Sequence, residues 1–216
     1  MGEQGASHSQ GFDWMELAQT ASTFVLLNML WLFCSLPIIT MPAATAALFA
    51  TIAPWGRGQS PSEPLANFFV AMKQYGLRAT AIFLLNLLIA GAVILNLLIL
   101  RQMGIGQIIA TMALIVTVLV ALVLVLANIY LWPLLVTLDS SLPDLLKNAL
   151  KLALAHPIWG VFVAGTAVIP LLVSLLLPQA FFIAITFAAT ALIIYAGAWR
   201  VIRRYLDEKE IQNFGV

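Results

Sequence analysis

The chain has 216 residues, of which 62% are hydrophobic and only 9% charged, with a mean hydropathy of +1.03. Soluble domains carry about 25% charged residues, so this composition belongs in a membrane. A net charge of +1 and a pI near 7.9 exclude the basic surface that nucleic acid requires, and the single cysteine, Cys34, excludes an intrachain disulfide and offers no thiol cluster to a metal.

The opening residues, MGEQGASHSQGFDWMEL, contain no Lys or Arg and no apolar core ending in a small-residue cleavage site, so no cleaved leader is expected. Met1 to Gly11 reads as a disordered lead, 12–204 as a single transmembrane bundle domain and 205–216 as a cytoplasmic tail. His8 and Asp13 have the H-x4-D acyltransferase spacing, but a catalytic base needs rigid support, and this lead provides none.

From Ala18 to Ala53 the chain runs 36 residues without a charge. A single helix of that length would measure about 54 Å against a hydrocarbon core of about 30 Å. Pro37 and Pro42 flank IITM, and proline removes a backbone donor and restricts the residue before it. The first helix therefore ends near Leu36, and a short element made of small residues runs from Pro42 to Trp55. A hairpin is favoured over one long tilted span, and both put Trp55 on the same side. Four further apolar runs have the length of a membrane helix: Ala79–Leu100, Ile108–Leu135, Ile158–Leu177 and Gln179–Trp199. The expected fold class is an all-α polytopic transmembrane helix bundle. It has five full spans, one short or re-entrant helix after the first span, and amphipathic cytoplasmic helices.

Basic residues orient this set. Placing Trp55 toward the cytoplasm puts Arg57, Lys73, Arg78, Lys147, Lys151, Arg200, Arg203, Arg204 and Lys209 there and only Arg101 outside, a strong positive-inside asymmetry. Trp55, Trp132, Trp159 and Trp199 fall at cytoplasmic span ends, and Trp14 joins them if the hairpin forms, so both termini are expected in the cytoplasm.

Two segments are amphipathic. In LPDLLKNALKLALAHP, Leu142, Leu145, Leu146, Ala149, Leu150 and Ala153 follow the helical period, while Asp144, Lys147, Asn148 and Lys151 face the other way. That polar face contains both signs of charge, and Asp144 is disfavoured toward an anionic lipid surface, which favours partner docking; the competing readings are membrane anchorage of the helix and an Asp144 that simply serves the helix amino terminus. In NFFVAMKQYGLRAT, Phe68, Met72, Tyr75 and Ala79 make a similar stripe that feeds into the next span, so the two units hint at an internal duplication. At the carboxyl end, Arg203 with Asp207 and Arg204 with Glu208 are spaced to extend the last helix.

Chemistry inside the spans is sparse. No Asp, Glu, Lys, Arg or His lies centrally in any of them, which disfavours a proton-coupled pump. The intramembrane polar residues are Asn28, Asn86, Asn96 and Asn128, suited to interhelical hydrogen bonds or to contacts with the hydroxyls of an uncharged solute. Gly160, Ala164 and Ala167, and likewise Ala184, Ala188 and Ala191, form packing seams. His156 precedes a proline with no second ligand nearby. No catalytic, cofactor-binding or metal-binding residue is assigned, and no cofactor or enzyme activity is expected.

The stretch LLNMLWLFCSLPIITMPAATAALFATI resembles the amino-terminal signature of the YesL-like family of bacterial membrane proteins, an L-N-x-L-W run ahead of a Pro-Ala segment; Asn28, Leu30, Trp31, Pro42, Ala43, Ala46 and Leu48 carry the match. FFVAMKQYGLRAT and YLWPLLVTLDSSLPDLLKNALKLAL are similar to the family's two cytoplasmic segments, with Lys147, Asn148 and Ala149 in a K-N-A run. Many relatives carry basic residues ahead of the first span, whereas this chain has only Asp13 and Glu16 there. The resemblance implies a bacterial inner-membrane location and, because members are commonly encoded beside carbohydrate uptake systems, an accessory or scaffold role in sugar transport. The expected contacts are the lipid bilayer and a membrane transporter or regulator, with no nucleic acid. The alternative is a permease-like subunit for an uncharged solute such as a sugar. Against it, the loop before Pro157 lacks the E-A-A triplet of an ATP-driven permease.

Overall fold

A computed structural model describes residues 14–103, 108–176 and 179–206. The lead Met1 to Gly11, the His8 and Asp13 spacing, and the Arg203–Asp207 and Arg204–Glu208 pairs lie outside the described residues, wholly or through one partner. The described elements are all helical. They are α1 (Trp14–Ser35), a 3-10 turn (Ile38–Thr40), α2 (Met41–Gly56), α3 (Pro64–Met103), α4 (Ile108–Thr137), α5 (Leu142–Ala155), α6 (Pro157–Leu176) and α7 (Gln179–Ile202).

The chain turns back after α1, as the prolines dictate. The single Thr40 O–H is shared between the carbonyls of Cys34 (2.5 Å) and Pro37 (2.8 Å), the first of them a carbonyl that the end of α1 leaves without an intrahelical partner. Phe24 stacks on Trp55 at 4.6 Å, and the Trp31 indole N–H donates to Thr45 at 3.1 Å. A later residue of α1 therefore meets an earlier residue of α2, the signature of an antiparallel hairpin.

The short helix is the hub of the molecule, touching α1, α3, α4 and α7. Ala44, Ala46, Ala47, Leu48, Phe49, Thr51, Ile52 and Ala53 are all buried. At 16 residues it is about 24 Å long. Its small side chains let neighbouring backbones approach from several directions, which is why an Ala-rich segment with no polar face packs on every side.

Two more antiparallel hairpins complete the bundle. In α3–α4, Asn86 meets Asn128 and Asn96 meets Thr117; in α6–α7, Trp159 meets the Gly197 carbonyl and Ser174 meets Thr186. The open ends of the three hairpins converge, since Arg57 and Thr137 both hydrogen-bond Tyr195. All described Lys and Arg residues except Arg101 lie toward these open ends, and Arg101 lies beside the closed end of α3–α4. The core cluster reaches only Ile82 in α3 and Leu126 in α4. Beyond them the hairpin exposes Leu88, Leu95, Ile109 and Leu119.

The segment 67–80 feeds straight into the span that follows it, as its sequence suggests. Phe68 and Ala79 are buried as its stripe requires, and α3 continues unbroken for 40 residues, because nothing between Pro64 and Met103 stops a helix. The second amphipathic segment does break off: His156 leaves helical geometry at φ −130° and ψ 54°, as expected ahead of Pro157. The two units therefore differ where a duplication would make them alike. Trp55, Trp132, Trp159 and Trp199 lie toward the open ends of the hairpins, where Trp199 is buried against Tyr195 and Trp132 stacks on Phe49.

Candidate functional site

Where the open ends converge, polar groups that are far apart in the chain meet. Arg57 follows the last residue of α2, where a cation complements the helix dipole, and its backbone N–H returns to Ala53 and Pro54. Its Nη1 donates to the Tyr195 hydroxyl at 2.9 Å, and that hydroxyl lies 3.1 Å from Thr137 Oγ1. The guanidinium also sits 6.0 Å from the Tyr195 ring centroid and 5.9 Å from that of Trp199, within cation–π range. Tyr195 is fully buried. Nearby, the Tyr75 hydroxyl reaches the Val136 carbonyl at 3.5 Å, and Arg78 pairs with Asp139 at 3.3 Å. Sequence reasoning missed this cluster. Its trace in the sequence was a lone arginine at the end of the short helix and a tyrosine inside an otherwise apolar last span.

On α5 the four residues expected to form one docking face separate into two roles. Ser141 caps the helix, accepting from the Asp144 N–H at 3.4 Å and donating to Asp144 Oδ2 at 2.5 Å. Asp144 also pairs with Lys147 at 3.8 Å, both exposed. Asp144 thus serves the helix terminus, the reading that competes with docking. Asn148 and Lys151, one turn on, line a cleft shared with Tyr205. The buried face comprises Leu145, Ala149, Leu152 and Ala153, so it is rotated from the expected stripe. Leu150 instead lies exposed with Leu154, making an apolar flank beside the lysines that suits the lipid boundary.

The four intramembrane asparagines do not share a site. Asn86 and Asn128 exchange amide hydrogen bonds at 2.7 and 3.1 Å, and Asn128 also donates to the Leu124 carbonyl at 2.9 Å. Asn96 donates to Thr117 at 2.5 Å, while Asn28 Oδ1 accepts from the Ala188 backbone N–H at 2.9 Å. Each bridges two helices. Changing Asn86 alone to leucine is expected to cost about 1–2 kcal/mol by leaving Asn128 without its partner, whereas leucine at both positions should cost clearly less than the sum of the single changes. Thermal unfolding of the four proteins in a double-mutant cycle checks this.

His156 Nε2 lies 2.8 Å from the Tyr205 hydroxyl, a satisfied interfacial histidine. Cys34 is a free thiol, only partly buried. Among the described residues no group of three or more His, Cys, Asp or Glu side chains is gathered as a metal site would need.

Together these features define the class: an all-helical, multi-pass bundle with six helices, among the described residues, long and apolar enough to cross a membrane. Residues 24–97 match the model of a family described as a protein of unknown function, DUF624. The match spans most of α1, all of α2 and most of α3, and so includes both Asn28 and the hub helix. Comparison with curated proteins and comparison with solved structures each return no match.

Proposed function

We propose that the protein is a non-enzymatic accessory or scaffold component of the bacterial cell membrane, YesL-like in kind and linked to carbohydrate uptake, that docks a transporter or regulator through α5. The observation that carries this reading is α5 itself. It is a capped 14-residue helix seated on the bundle by four buried residues, with Lys147 and Lys151 turned outward. The cap and the four buried residues hold α5 in one place on the bundle, so Lys147 and Lys151 are presented from a fixed surface. The permease-like alternative for an uncharged sugar requires polar groups free to meet hydroxyls, whereas Asn86, Asn96 and Asn128 are engaged with neighbouring helices.

The gathering of basic residues at the open ends supports a cytoplasmic location for that end and for both termini. Reporters fused at each terminus should both read cytoplasmic; an external amino terminus overturns this orientation. Docking is tested by reversing the charges at Asp144, Lys147 and Lys151 together and purifying from native membranes. A normally folded protein that loses its stoichiometric partner is the expected result. If every partner is retained, while leucine at Asn86 and Asn96 abolishes solute uptake in a folded protein, the permease reading takes its place.

A further inference from the structure

The cleft between α5 and the end of α7 has the build of a lipid site. It encloses about 340 Å³, within the range of small-ligand pockets. Leu134, Leu152 and Ile202 contribute apolar surface, and Asn148, Lys151 and Tyr205 bring an amide, an ammonium and a phenol. None of its nine lining residues is acidic. All three polar groups can donate hydrogen bonds, the complement of the non-bridging oxygens of a phosphate diester. His156 Nε2 lies 2.8 Å from the Tyr205 hydroxyl; in the tautomer whose Nε2–H donates to that oxygen, the single tyrosine O–H is left to donate to the phosphate.

We infer that this cleft binds one anionic phospholipid, its phosphate at Lys151, Asn148 and Tyr205 and its first acyl carbons on the leucine and isoleucine surface. A soluble anion would leave that surface open, and a zwitterionic lipid would bring its own cation toward Lys151. The inference shares Asn148 and Lys151 with the docking face, but its test separates the two, because it needs only the purified chain.

The test uses the full chain in detergent with phosphatidylglycerol, phosphatidylcholine and inorganic phosphate as probes. Bound lipid is counted by native mass spectrometry, and stabilisation is read by thermal unfolding. The wild type should retain one phosphatidylglycerol in clear preference to phosphatidylcholine. Lys151→Glu should weaken this by about tenfold or more through charge reversal. Ala155→Trp, which adds bulk to the lining by replacing an exposed residue, should block it, while Lys147→Glu, one turn away and outside the cleft, should weaken it clearly less than Lys151→Glu does. Unfolding without lipid identifies any misfolded variant, and Asn148→Leu, expected to weaken binding severalfold, then takes that variant's place. Equal retention of the two lipids, equal losses for Lys147→Glu and Lys151→Glu, or displacement of the lipid by equimolar inorganic phosphate would each overturn the assignment.

Discussion

A methyl group added at Gly56 or Gly197 is expected to destabilise the bundle strongly, while the same change at Gly91 or Gly165 leaves it unchanged or more stable. A Cβ on Gly56 would overlap Tyr195 Cδ1, and one on Gly197 would stand 2.5 and 2.9 Å from the two methyls of Val163. Neither neighbour can easily yield. Tyr195 is fully buried and held by Arg57 and Thr137, and Val163 is a buried, stiff β-branched residue. Overpacking of this kind costs about 1–3 kcal/mol, and Gly56 should fall at the upper end because displacing Tyr195 also strains two hydrogen bonds. Nothing lies within 4 Å of a Cβ at Gly91 or Gly165, so alanine there should gain up to about 1 kcal/mol from helix propensity. Gly160 is the intermediate case, since its Cβ would meet the flexible tip of Leu126 at 2.9 Å. Thermal unfolding of the five alanine variants in one detergent gives the ranking. A Gly56 variant as stable as the Gly91 variant would mean that the convergence of the three hairpins is looser than these distances require.

How much of this architecture was legible in the sequence depends on the kind of signal involved. Local signals served well. Pro37 and Pro42 located the reversal after α1, Pro157 located the break after α5, and hydropathy bounded α4, α6 and α7 to within a few residues. What periodicity could not give is which helix becomes the hub. An Ala-rich segment of 16 residues reads as too short for a confident span, yet its small side chains are what admit α1, α3, α4 and α7 around it. The amphipathic stripe on α5 was placed with Leu150 inward, whereas contact with the bundle rotated the buried face toward Leu152. The cluster of Arg57, Thr137 and Tyr195 was out of reach for a different reason. Its members come from three hairpins and meet only once tertiary packing is known, so no spacing along the chain encodes it. The asparagines were found, but their separation into three unrelated bridges follows from helix pairing, which composition does not record.

That separation makes Asn28 the asparagine with the largest expected effect. Asn86, Asn96 and Asn128 bind one hairpin to itself, and a hairpin is already held by its own connection. Asn28 binds the first helix to the last, elements joined by no short loop. It is fully buried, and its Oδ1 accepts from the Ala188 N–H at 2.9 Å, with the stacked rings of Trp31 and Phe187 centred 4.1 Å apart one turn along. Leucine at this position would set a methyl where the N–H now finds an oxygen, against an Ala188 that is itself fully buried. Alanine would leave a small cavity together with the lost bond. Either change should cost roughly 2–4 kcal/mol, combining a buried hydrogen bond with a packing defect. Asn96→Leu should cost about 1 kcal/mol or less, since its contact lies in the part of α3–α4 outside the core cluster. Thermal unfolding of Asn28→Leu, Asn28→Ala and Asn96→Leu under one condition measures the difference. Equal losses at the two positions would mean that apolar packing holds α1 against α7, and the Trp31–Phe187 stack would then become the pair whose truncation separates them.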